Sequence, residues 1–306
     1  MNNAHSQGYL CAIGAVLIWS GFILVSRVGG ISPLLPYDVI AIRYVTCAAL
    51  LLPFWLIWKP FNLFQAKFII TSLIGGLGYA IFTFKAFEIT PASHAAVLLP
   101  GLLPVSIAVL AMLLNKERHL LSKWVGIAVI TFGISALFWQ ELSQTGSLSK
   151  GHLYLTGGAI CWAIFSVLIN RWNISPWEAT VSLAVITCVI YLPLYLLWLP
   201  KNILNSGFEE ILLQAFYQGF MATIVQMLLY VRAVQLIGAA QMGSMMAIVP
   251  VLAGFTAIPL FNEEASITLG VALLFVSIGV WLANTQWIRH QKPATSSQSL
   301  STKAGT

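Results

Sequence analysis

Titratable side chains that interrupt apolar sequence are where chemistry would show, and this chain has few of them. Asp38, Arg43, Lys85, Glu88 and His94 lie in or at the edges of long apolar runs. Such groups cost free energy in apolar surroundings unless they are paired or put to use, so each is a functional candidate. Arg43, in the second turn of its run, either snorkels to the nearer surface or pairs with Asp38 or an anionic solute. Lys85 and Glu88 are three residues apart, the spacing of an intrahelical ion pair. His94 and Gln241 are polar near the starts of two runs, where solvent can satisfy them or a solute or gate can contact them. None of this forms a catalytic constellation. HExxH, GxSxG, GxxxxGK(S/T) and paired intramembrane carboxylates are all missing, which removes the usual carriers of enzyme chemistry and of direct ATP drive. Cys11, Cys47, Cys161 and Cys188 sit inside apolar runs without CxxC or Cys/His ligand spacing. They read as packing residues, and neither a cofactor nor a metal is expected.

The elements that must position these residues follow from composition. Hydrophobic types make up 59% of the 306 residues and charged types 8%, against roughly 25% charged in a soluble domain. Lipid is therefore the expected solvent. Apolar runs fall at about 9–29, 36–58, 67–88, 92–114, 120–139, 151–171, 177–199, 210–233, 239–261 and 266–287, each near the 20 or so residues that cross a bilayer. Runs of this length in lipid are helices, because no other open structure satisfies its own backbone, and the alternation of a membrane barrel is absent. The net charge of +6 comes from basic residues scattered at run ends, so nucleic acid is not an expected partner. With the N-terminus inside, ten Lys and Arg fall on the inner side and five on the outer, which places both termini in the cytoplasm of a cell (inner or plasma) membrane. Met1 to Gln7 lacks the basic region of a cleaved signal, so the first run should persist as a span. Residues 291–306 read as a disordered polar tail.

A repeat organises the runs. Gly8/Gly151, Leu10/Leu153, Gly14/Gly157, Trp19/Trp162 and Phe22/Phe165 share an offset of 143; Pro36/Pro176 and Trp58/Trp198 share 140. Thr46-Cys47 over Thr187-Cys188 follows at 141, Lys85/Arg232, Ala92/Ala239 and Ala96/Gly243 at 147, and Pro104/Pro250 at 146. The predicted units are 1–143 and 150–290, each of five helices. Five is odd, so the second unit enters from the opposite side. The fold class expected is all-α, ten transmembrane helices as two inverted repeats, an architecture whose solute site lies near the midplane between halves that rock about it.

The segments AVLIWSGFILVSR, FKAFEITPASHAAVLLPGLLPVSIAVLAMLLNKE and WVGIAVITFGISA, with YVRAVQLIGAAQMGSMMAIVPVLAGFTAIPLFNEE and LGVALLFVSIGVWLA in the second half, resemble the EamA-type carriers of the drug/metabolite transporter superfamily. The resemblance runs from about Tyr9 to Trp287 and implies a central cavity lined by the first, third and fourth helices of each half. It also implies a secondary carrier, favoured as an exporter, of amino acids, other metabolites or drugs. A short second-half loop leaves Glu263 and Glu264 both open as the counterpart of Glu117.

Within that frame Trp19, Tyr79, Phe82, Trp162, Gln226 and Tyr230 are candidates to wall the cavity, their bland alternative being lipid or interface anchoring. Pro104 and Pro250, mid-helix in matched positions, are candidates for a hinge or for presenting freed carbonyls, although proline is common in membrane helices anyway. Ala92/Ala96 and Ala239/Gly243 read as close-packing pairs. The expected partners are a small-molecule substrate and lipid, with a homodimer admissible. A membrane sensor or accessory subunit and, less readily, an intramembrane enzyme remain as alternatives.

Overall fold

The computed structural model describes residues 3–58, 60–116 and 120–284. Glu117 and the polar tail fall outside that set. Among the described residues, ten helices are long and apolar enough to cross a membrane: α1 Ala4–Ile31, α2 Pro36–Trp58, α3 Ala66–Ile89, α4 Ala92–Leu114, α5 Leu121–Gln144, α6 Lys150–Arg171, α7 Pro176–Leu197, α8 Phe208–Ile237, α9 Gln241–Phe261 and α10 Ile267–Asn284. Among the described residues there is no strand. The expected ten spans are present, with several ends displaced by a few residues, the start of α1 and the end of α5 the most. α5 continues past the expected stop at Trp139, because Gln140 finds the Ser266 hydroxyl and the helix runs on as a polar extension. α8 begins slightly before its apolar run, with Glu209 and Glu210 in its first turn, favourable at a helix N-terminus, and also continues past the run to Ile237.

Helix contacts repeat under exchange of the two halves. α1 packs on α8 and α9 as α6 packs on α3 and α4; α2 meets α7 and α5 meets α10. The caps repeat too: the Asp38 carboxylate accepts from Leu35 N, and Glu178, 140 residues on, accepts from Ser175 N. The repeat-paired Trp58 and Trp198 close α2 and α7 at opposite faces and are 67% and 73% exposed, as interface anchors should be.

Two matched defects interrupt the third helix of each half. Ser72–Gly78 in α3 and Ala215–Val225 in α8 are π-helical, beginning 143 residues apart. Such widened turns loosen backbone carbonyls and recur at functional sites. Here Gly76 O accepts from the Tyr44 hydroxyl, Ser72 O from Thr187 and Gly219 O from the Cys47 thiol. Glycine is required at these crossings. A Cβ at Gly76 would stand 2.1 Å from Thr187 Oγ1, and one at Gly219, its repeat partner, 2.6 Å from Thr46 Cβ.

The two proline helices differ. α4 runs unbroken through Pro100 and Pro104, whereas α9 breaks at Ala247, three residues before Pro250. Pro250 has no N–H to return to the Met246 carbonyl, so the break falls where the ladder is already open.

Candidate functional site

Trp19, Tyr79 and Trp162 fall near the midpoints of α1, α3 and α6, and the fold brings them together between the halves. The Trp162 ring lies 4.9 Å from Tyr79, 6.4 Å from Trp19 and 5.1 Å from Phe165, centroid to centroid. Tilted and edge-on pairs of this kind are each worth about 0.5–1.5 kcal/mol beyond area burial. The chain continues from Trp19 to Phe22, and from Phe22 to Phe84 and Phe87 at 6.4 and 6.2 Å.

Arg43 completes this wall from α2. It is 5% exposed, so the snorkelling expected as its bland role is not what the structure shows. Its guanidinium stands 5.6 Å from the Phe22 centroid, 5.8 Å from Tyr44 and 5.9 Å from Phe84. It donates to Gln218 Oε1 at 3.3 Å, while its Nε, buried, has no hydrogen-bond partner. Gln218 in turn donates to the Ser26 hydroxyl. Asp38, the expected alternative partner, is used elsewhere. Its carboxylate accepts from Leu35 N, Asn202 N and the Tyr195 hydroxyl, which pins the loop after α7 to the start of α2. The buried cation is thus held by aromatic faces and one neutral amide, an incomplete shell for a charge in a low-dielectric interior.

The remaining candidates scatter. Gln226 is buried on α8, as its repeat partner Tyr79 is on α3. Phe82 turns to Tyr154 at 6.3 Å and away from the tryptophans. Tyr230 packs in a separate small cluster with Ala12, Ala15 and Ala233. Gln241 is exposed at the start of α9. Pro104 is half-buried and Pro250 buried, both in mid-span. His94 meets His152, its Nδ1 3.0 Å from His152 Nε2, at the face remote from the N-terminus. Lys85 lies over the Tyr37 ring at 5.2 Å and, with Glu88, Lys150 and Tyr154, lines a cleft of about 420 Å³ at that same face. Of the two acids left open at the end of α9, Glu263 caps α4: its carboxylate oxygens accept from Ala92 N at 2.6 Å and Ser93 N at 2.9 Å.

Sequence reasoning passed over Gln218, Ser26, Tyr44 and Cys47 as site residues. Gln218 carried a usable signal, an amide inside an apolar run. Tyr44 carried none, because nothing separates a buried tyrosine from a membrane-interface one by type alone.

The model of the EamA-like transporter family matches twice, over residues 6–139 and 149–285, the two halves described above. A relative, the uncharacterized transporter YyaM of Bacillus subtilis (strain 168), is 24% identical over 199 residues, which is 61% of this chain and 62% of that protein. A crystal structure of a protein superposes with a TM-score of 0.61 at 21% identity, covering 91% of this chain and 96% of that one, so the fold itself has been seen. With both halves matched and ten candidate spans among the described residues, the chain belongs to the EamA-like transporter family, and it is a multi-pass membrane protein.

Proposed function

We propose that the protein is a secondary carrier of small organic solutes, amino acids, other metabolites or drugs, working by alternating access around the midplane cluster of Trp19, Tyr79, Trp162 and Arg43. The observation that carries this reading is the buried Arg43 with its incomplete shell, set among aromatic faces of the first half and hydrogen-bonded to Gln218 of the second. A cation kept inside a membrane protein without a carboxylate at hand is costly to stability and is best explained by a partner that comes and goes. Aromatic walls favour a flat or amphipathic body, and the guanidinium favours a carboxylate or comparable anion on it. The reading includes export as the working direction, through the family, and no enzymatic turnover.

Counterflow of labelled solutes in proteoliposomes tests it. Carboxylate-bearing aromatic solutes should exchange, and their uncharged analogues should exchange poorly. Failure of every solute in a broad metabolite and drug panel would remove the carrier reading and leave the sensor or accessory subunit. A thermal-shift screen of the purified protein finds the solutes to try first, since a ligand bound only to the folded state raises its stability.

A further inference from the structure

Away from the midplane, at the face remote from the N-terminus, three metal-ligating side chains converge from three helices. His94 is the third residue of α4, His152 the third of α6 and Glu141 the fourth from the end of α5. One ligand atom from each lies within 4.8 Å of the others. We propose that His94, Glu141 and His152 bind a divalent transition-metal ion, with zinc the best match, which ties the first half to the second at this face.

The donor set selects the metal. Two imidazoles and one carboxylate suit zinc and its transition-metal neighbours, whereas magnesium and calcium prefer shells built of oxygen. The spacing fits as well. Zinc–nitrogen bonds of about 2.0–2.1 Å in a tetrahedral shell put two ligand nitrogens about 3.3 Å apart, and His94 Nδ1 and His152 Nε2 stand 3.0 Å apart. A proton shared between the two rings would also bring these atoms together. Either arrangement uses His152 Nε2 and leaves His152 Nδ1, in a residue only 1% exposed, without a hydrogen-bond partner; the Glu141 carboxylate converging on the same point is what favours the ion.

The scaffold holds the ligands in place and leaves a way in. Glu263 fixes the first turn of α4, and hence His94, through the Ala92 and Ser93 amides. The Phe138 ring, 5.8 Å away, backs His152 from α5. His94 and Glu141 are only partly buried and sit at helix ends, so an aqueous ion reaches them without crossing lipid. Three protein ligands leave a fourth position for water, the pattern of an exchangeable site and not of a closed structural one. The inverted repeat adds a consequence. The counterparts of His152 and His94, at offsets of 143 and 147, are Tyr9 and Gln241 on the opposite face, neither of them an imidazole. A bound ion would therefore clamp one face only and hold it shut.

The experiment uses the full chain, purified without a histidine tag and placed in lipid nanodiscs. Zinc is titrated by calorimetry, and cobalt is followed by the visible band of a tetrahedral centre. One equivalent of zinc per chain is expected, with no response to magnesium, and binding at least about tenfold weaker in His94→Gln and in Glu141→Gln. Both replaced residues are partly exposed, so these variants should fold even if one at the buried His152 does not. In proteoliposomes, zinc should slow counterflow by the native chain and leave both variants untouched. No saturable zinc binding by the native chain, or equal binding by both variants, overturns the site; binding without any slowing of flux overturns the clamp.

Discussion

The proposed role of Arg43 in solute binding can be separated from a structural one. A group kept for stability should lower the free energy of the fold, yet a buried cation with one neutral hydrogen-bond acceptor raises it. Arg43→Gln is therefore expected to leave the melting temperature of the purified protein unchanged or higher. The same change should reduce counterflow of an anionic solute about tenfold or more, since a charge-assisted hydrogen bond contributes about 1.5–3 kcal/mol. A sharp loss of stability with flux intact would make Arg43 a packing residue. Trp162 tests the opposite case. Its ring touches Trp19, Tyr79 and Phe165, so Trp162→Ala should lower both thermal stability, by about 3–5 kcal/mol, and flux, while membrane insertion measured by expression is kept. Trp19 and Trp162, as a matched pair, and Arg43, as a charge inside an apolar run, are visible in one dimension, whereas Tyr79, whose repeat partner is Gln226, is picked out only through the helices that the family resemblance turns to the cavity. Types and spacing could not find the His94–His152 pair, whose members are 58 residues apart and owe their meeting to the packing of α4 on α6.

At the scale of the elements, the π-helical segments of α3 and α8 set how closely the halves approach. Each widened turn places a glycine against a threonine of α7 or α2, and the two crossings are repeats of one another. Gly76→Ala pushes a methyl group into Thr187, which should cost about 1–3 kcal/mol as overpacking and be read as a lower melting temperature. Adding Thr187→Ala removes the obstructing hydroxyl and should restore most of the loss, with a coupling energy in the double-mutant cycle well above the few tenths of a kcal/mol of independent sites. Additive effects would place the strain elsewhere. The helices themselves were legible from hydropathy, and their pairing into halves from the offsets. The π segments were not legible, since SLIGGLG and AFYQGFMATIV share little beyond a glycine and apolar bulk. The break at Ala247 was invisible for a related reason: matched prolines predict matched kinks, but only one of the two helices interrupts its ladder.

Over the whole molecule, the alternating access proposed above would separate the halves first at one face of the midplane cluster and then at the other. The face remote from the N-terminus carries the described cross-half ties in strength: Glu263 on the α4 amides, His94 against His152, and Gly151 packed so close to Thr90 that a Cβ would not fit. Opening at that face has to part α4 from α6. A covalent link between them should then stop turnover without disturbing the fold. His94→Cys with His152→Cys provides the sites for it, joined by a short reducible thiol cross-linker, because the two imidazoles meet across the half boundary with centroids 5.2 Å apart. In a background where Cys11, Cys47, Cys161 and Cys188 are replaced by serine or alanine, cross-linking should abolish counterflow, and a reductant should restore it. Solute binding, followed by thermal shift, should survive cross-linking, which distinguishes a locked carrier from an unfolded one. Full counterflow with the link closed would mean that α4 and α6 travel as one body. The moving boundary would then have to lie between α1 and α9, the repeat-related contact at the other face.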